Sequence, residues 1–307
     1  GLPPQMDGNS YIRICEAIKA ELPNIHIHGF SPEEVLYGSV RSRCSIRDYL
    51  QALKSAGVGS LPGTSAEILD QNLRDVISPG RIRKDQWIDV VTTAHSLGIP
   101  TTATIMYGHV ETHEHVANHI PLIRDIQKAT FGFTEFVPLS FIHTEAPMYL
   151  RGIVEGVRSG PEKIDVLKIH AISRIMLNNW IPNLQVSWVK EGLRTSQLLL
   201  GAGVNDLGGS LINESISTSA GAQHGQLVKP SEFRQVIRSA GKTPAERYTS
   251  YRIKQVFDQI DDPVDHLDMI NDNGEDRFGS YRRLIKMDRF RFRHPERQDR
   301  SRAPSTS

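Results

Sequence analysis

The stretch "SIRDYLQALKSAGVGSLPGTSAEIL" (residues 45–69) holds a helix, a strand and a polar loop in that order. Ser45 and Asp48 stand at the spacing of a capping box. Ile46, Tyr49, Leu50 and Leu53 then recur at i, i+3, i+4 and i+7, which predicts a helix with one apolar face. A strand is predicted over 57–63, and Pro62-Gly63 turns it into the loop.

The same unit recurs on both sides. Strands are predicted at "NIHIHGF" (24–30), "IPTTATIMYG" (99–108), "TEFVPLSFI" (134–142), "NLQVSWV" (183–189) and "GVNDLGG" (203–209). Between them lie helical patterns whose core faces read as Trp87, Val90, Val91 and Ala94, stopped by Gly98, and as Ile164, Leu167, Ala171 and Ile175 after Pro161. This alternation specifies a parallel sheet with helices outside. A closed (β/α) barrel needs eight strands, so the expected fold is α/β, an incomplete TIM-like (β/α) barrel with six of the eight. A helical stretch at 9–22 precedes the first strand, which places the absent pair ahead of Gly1. The open edges of such an arc predict poor solubility.

The chain has 307 residues, a formal net charge of +1 and no long apolar run. No membrane span and no global field for nucleic acid follow from this. Cys15 and Cys44 are the two cysteines and fit neither a disulfide framework nor a thiolate metal site. The opening "GLPPQMDGNS" has no basic or apolar leader segment, and a reducing, cytoplasmic setting is expected (organellar in a photosynthetic eukaryote). Residues 1–251 read as the barrel domain. Residues 252–307, acidic and then basic, read as a charged, disordered extension, and the Arg and Phe alternation at 289–293 is a weak nucleic-acid signal.

Barrel chemistry sits at the carboxyl ends of the strands. His26 and His28 share one strand face, and His28 stands near the strand end, open between core packing and ligand contact. Thr64 and Glu67 fit either a capping box or a ligand-facing loop. His109 and Glu111 directly follow a strand, whereas His113, His115 and His119 read as solvated helix positions without a complete metal pattern. In the last loop, Asn205, Asp206 and Glu214 suit a polar ligand, Gly208-Gly209 permits close approach, and Ser210 reads as the cap of a helix carrying Glu214.

The blocks "HIHGFSPEE", "SIRDYLQALKSAGVGSLPGTSAEIL", "TTATIMYGHVET", "EFVPLSFIHTEAPM" and "GVNDLGGSLINESISTSAGAQHG" resemble the radical S-adenosylmethionine (SAM) enzymes that build the deazaflavin FO, specifically their tyrosine-condensing half. The resemblance runs over about residues 1–251. It implies a [4Fe-4S] cluster that reduces SAM to a 5'-deoxyadenosyl radical, cleavage of L-tyrosine at Cα–Cβ, and transfer of the 4-hydroxybenzyl group to 5-amino-6-(D-ribitylamino)uracil. It also implies a partner, FO synthase subunit 1 or a fused amino-terminal domain, that closes the ring. By the same resemblance Thr64 and Glu67 lie near the SAM ribose, and His28, Tyr107, His109, Glu111, Asn205, Asp206 and Glu214 lie at the barrel mouth as binding residues.

The family's Cys-x3-Cys-x2-Cys loop is missing from the chain, so the cluster ligands are absent and the chain by itself is expected to be inactive. A radical SAM enzyme of the futalosine route to menaquinone, or a non-catalytic fragment, stands as the alternative.

Overall fold

The structure, a computed structural model, describes residues 2, 5–211, 214, 216–224, 227–259, 262–270 and 286–287. The Arg and Phe alternation at 289–293 lies outside these residues.

Helix α1 (Ser10–Glu21) leads into β1 (Ile27–His28), then α2 (Pro32–Ser42) and α3 (Ile46–Ser55), then β2 (Val58–Ser60). The side chain of Ser45 accepts the Asp48 N–H, and Tyr49, Leu50 and Leu53 are buried, as their spacing predicts. Helices α4 (Gln71–Ile77) and α5 (Lys84–Ser96) precede β3 (Thr101–Tyr107), and α6 (His113–Thr130) precedes β4 (Phe133–Ser140). On α5, Trp87, Val90, Val91 and Ala94 are all fully buried. Then follow α7 (Pro147–Leu150), α8 (Lys163–Leu177), α9 (Trp188–Leu199), α10 (Ile216–Ser219), α11 (Pro230–Ser239) and a hairpin of β5 (Ala245–Arg247) and β6 (Ile253–Val256).

The parallel pairs β1–β2 and β3–β4 are joined by a bridge from Leu61 to Thr101. Bridges from Phe136 to Leu184 and from Gln185 to Asp206 extend the series. All six predicted strand positions therefore stand side by side in chain order, an open α/β arc of an incomplete barrel. The last two are single bridges rather than strands. The segment predicted as strand over 183–189 becomes helix at Trp188, whose buried indole N–H donates to the Gly209 carbonyl at 2.8 Å.

Two expectations are corrected. The buried face of α8 is Val166, Ile169, His170, Ser173 and Leu177, while Ile164, Leu167 and Ile175 are exposed. The helix carries two apolar stripes, and the inner one includes two polar residues, so hydropathy pointed to the wrong side. His170 is accommodated there because its Nδ1 donates to the Val166 carbonyl at 2.7 Å. The histidines of α6 are not solvated as a set: His119 is 1% exposed, and His115 closes the helix amino terminus by accepting the Thr112 N–H.

The hairpin β5–β6 spans the boundary drawn at residue 251. Beyond it, Asp262 and Asp268 pair with Arg234, and Asp262 also pairs with Arg238, tying part of the acidic segment to α11.

Candidate functional site

The loop after β2 carries Glu67, and its backbone is fixed by neighbours. Gly63 donates to Thr102 Oγ1 at 2.7 Å and accepts from Thr104 Oγ1 at 2.8 Å. A Cβ at Gly63 would stand 1.9 Å from the Thr102 carbonyl oxygen, so only glycine fits. The Trp87 indole donates to the Thr64 carbonyl, and the Met106 N–H donates to the Glu67 carbonyl at 2.8 Å. Buried Arg74 donates to the carbonyls of Ser65, Ala66 and Ile82. His119 accepts the Leu69 N–H at Nδ1 and donates from Nε2 to the Thr104 carbonyl, each at 3.0 Å, which fixes a neutral tautomer.

Held in this way, Glu67 adopts a left-handed backbone with φ of 44°, which costs free energy in a non-glycine residue. Burial pushes its carboxyl above the ordinary value, against the opposing charges of Arg74, Arg81 and Lys190. Neither Thr64 nor Glu67 caps a helix. Helix α4 begins only at Gln71, and its cap is Asp70, which accepts the Leu73 N–H.

The loop after β3 is built differently. Glu111 is 6% exposed in its side chain and accepts from Gly108 N–H at 2.7 Å, His109 N–H at 2.8 Å and Arg158. Despite burial, these donors and the adjacent His109 lower its carboxyl. His109 is fully buried, donates from Nε2 to the Met106 carbonyl and accepts the Val110 N–H at Nδ1, and burial lowers its pKa.

At the end of β4, the buried Ser140 Oγ donates to Glu191 and lies 3.0 Å from the Tyr107 hydroxyl. One hydroxyl carries one proton, so Tyr107 donates to Ser140 and Ser140 to Glu191. Lys190 donates from Nζ to the Ser140 carbonyl at 3.1 Å. Burial pushes its ammonium below the ordinary lysine value, opposed by Glu214, Glu191 and Glu67. Gly192 then breaks the helical run with φ of 76°, and a Cβ there would stand 2.9 Å from the His224 ring.

Glu214 is itself the cap of α10, accepting from Ile216, Ser217 and Thr218 N–H groups, which corrects the expectation that Ser210 caps a helix carrying it. His26 and His28 both reach the Ser60 hydroxyl at 2.7 Å, as their shared face predicts. Desolvation of the ring, with the neighbouring His26 and Arg247, lowers the His28 pKa to about 4.

The side chain of Asn205 is taken up by Leu184 N–H, Arg174 and the Pro182 carbonyl. Asp206 accepts from Gly208 N–H and from Arg247, which stacks on Tyr251 at 4.0 Å. The Tyr251 hydroxyl donates to Glu135, whose carboxyl is raised to about 7 by burial.

Lys190 and Glu191 both reach Ser140 at the carboxyl end of β4, and the charges of Glu214, Glu191 and Glu67 act on the Lys190 ammonium. A cavity of about 790 Å³ lies elsewhere, between residues 203–210, α11 and the hairpin. Among its charged walls, Arg234 pairs with Asp262 and Asp268, and Arg247 with Asp206. Lys190, Glu191 and Ser140 were missed in the sequence. Ser140 ends β4, and Lys190 and Glu191 stand just past the fifth strand position, the same signal that singled out His109 and Glu111.

Residues 5–123 match the Radical SAM superfamily model, and residues 130–260 match the model of the CofH/MqnC C-terminal region. The chain is 47% identical over 252 residues to the 5-amino-6-(D-ribitylamino)uracil–L-tyrosine 4-hydroxyphenyl transferase of Methanothermobacter thermautotrophicus, covering 82% of this chain and 68% of that one. The chain belongs to this radical SAM transferase family. A transferase of the same name from Methanopyrus kandleri is 44% identical over 84% of this chain and 69% of its own length. The FO synthase of Mycobacterium tuberculosis is 42% identical over 82% of this chain but only 29% of its own length. Methylornithine synthase shares the fold, with a TM-score of 0.55, 17% identity and coverage of 78% of this chain and 64% of that one.

Membership in this family implies a [4Fe-4S] cluster and SAM. Iron–sulfur clusters are held by cysteine thiolates, typically four to a cluster. The chain has two cysteines, Cys15 buried on α1 and Cys44 exposed after α2. Among the described residues no group of three or more His, Cys, Asp or Glu could hold a metal. These residues do not fit the cluster. No helix among the described residues is long and apolar enough to cross a membrane.

Proposed function

We propose that this chain forms the SAM- and substrate-binding part of a 5-amino-6-(D-ribitylamino)uracil–L-tyrosine 4-hydroxyphenyl transferase. The identity of 47% to a protein of that name carries the reading and favours it over the futalosine-route alternative. The mouth supports it: Glu67 has a carboxylate for ribose hydroxyls, and Tyr107, Ser140, Lys190 and Glu191 bring polar groups together from three neighbouring strand ends. We read His28 and Thr64 as further binding residues of the mouth and Tyr107, His109 and Glu111 as residues that shape it through the bonds described above, while Asn205 and Asp206, as further binding residues, line the neighbouring cavity. Cluster thiolates have to come from residues other than these, and FO synthase subunit 1 or a fused domain acts on the product.

The test joins this chain to the part of the Methanothermobacter relative outside the matched region and reconstitutes the hybrid anaerobically with iron and sulfide. With SAM, L-tyrosine and 5-amino-6-(D-ribitylamino)uracil, mass spectrometry should show the 4-hydroxybenzyl adduct. A hybrid that carries the cluster and cleaves SAM but yields no adduct would overturn the reading.

A further inference from the structure

Lys190 stands at the start of α9, directly after the fifth strand position, and its ammonium is drawn inward to the Ser140 carbonyl at the carboxyl end of β4. An ammonium has three N–H donors. One goes to Ser140, and no other protein acceptor within hydrogen-bond distance is recorded among the described residues. A half-buried ammonium with donors left over is costly unless something accepts from it.

Its surroundings come from separate elements. Glu67 arrives on the loop after β2, Glu191 on the first turn of α9, and Glu214 at the cap of α10, and all three act on the charge of Lys190. A bare anion approaching Lys190 would meet these three carboxylates. A zwitterion would not be so opposed, because its own cation faces them while its carboxylate reaches the lysine. A small α-amino acid satisfies both conditions.

We propose that Lys190 binds the α-carboxylate of the amino-acid substrate, and that the carboxylates around it select a zwitterionic α-amino acid over an amine or a plain carboxylic acid. This rests on the transferase reading above, in which that substrate is tyrosine. Lys190 is then a specificity-determining residue, with the Ser140 carbonyl aiming its ammonium and the Ser140 hydroxyl bonding Glu191 beside it.

The experiment is calorimetric titration of the full 307-residue chain with L-tyrosine, with tyramine, which lacks the carboxylate, and with 3-(4-hydroxyphenyl)propionate, which lacks the amine. The unaltered chain should prefer tyrosine to either probe by about tenfold or more, the worth of one charge-assisted hydrogen bond. Lys190→Met should abolish the preference over tyramine by weakening tyrosine while tyramine binding holds or rises, because a repelling ammonium is gone, and Lys190→Arg should keep part of the preference. A Lys190→Met chain that still prefers tyrosine overturns the inference and leaves the transferase reading standing. Equal weakening of tyrosine and tyramine also overturns it, since that is the signature of a merely structural lysine. No tyrosine binding by the unaltered chain overturns the inference, and the transferase reading is decided separately by the cluster-bearing hybrid.

Discussion

The loops after β2 and β3 are neighbours in the arc, and each places a glutamate just past a strand end, yet they use it in opposite ways. Glu111 holds its own loop together, accepting from Gly108, His109 and Arg158. Glu67 does none of this, because its loop is held by residues from other elements: Arg74, Trp87, Thr102, Thr104 and His119. A carboxylate becomes available to a ligand only when something else satisfies the backbone around it. Position at a strand end locates a candidate, and the hydrogen bonds of the loop decide its use.

The comparison is most exposed to failure at Arg74. Arg74→Met removes the donors to three carbonyls of the Glu67 loop while keeping most of the side-chain volume. Leaving those acceptors unpaired in the interior should cost about 4 kcal/mol in urea unfolding. A loss below about 1 kcal/mol would show that the loop does not depend on this support.

Acid provides the next largest effect. The buried His119 has its pKa lowered to about 3 by burial, against an ordinary value of 6.5. A folded value below the unfolded one means stability that is present above pH 6.5 and lost as pH falls toward 3. By pH 4 the loss from this one group should be about 3 kcal/mol, since protonation puts a hydrogen where Nδ1 must accept from Leu69. His95 and His170, both lowered to about 4, act in the same direction. The share of His119 is the difference between the pH profiles of the unaltered chain and His119→Gln, and identical profiles would remove it from the account.

Much of this fold is legible in the sequence because its signals are local. Ser45 caps α3, the Trp87 face of α5 is buried, and six strand positions line up because each repeats a short period that one segment displays by itself. The wrong face of α8 shows where that fails: His170 and Ser173 are inside, and only their packing explains it. The support of Glu67 was equally hidden. His119 lies 50 residues from Leu69, which it bonds, and Arg247 lies 41 residues from Asp206, so no periodicity announces either contact. Family blocks identified the chemistry of the mouth, but the division between occupied and available side chains came from the three-dimensional bonding.

The smallest expected change in stability is the one that separates the two glutamates. Glu111→Gln keeps the shape but removes the charge that accepts from two backbone N–H groups and Arg158, and should cost about 2 kcal/mol of unfolding free energy. Glu67→Gln should change stability by less than about 0.5 kcal/mol, or raise it slightly, because burial already disfavours the charged form. Its effect should instead fall on binding, as an affinity for SAM lowered by about tenfold when the acceptor for the ribose hydroxyls is weakened. The pair is measured together, by urea unfolding and by calorimetric titration with SAM. If both variants lose stability alike, the two loops are built on one plan and the contrast between them fails. If Glu67→Gln is stable and binds SAM normally, the loop remains independent of its glutamate, and the carboxylate serves a ligand other than the ribose.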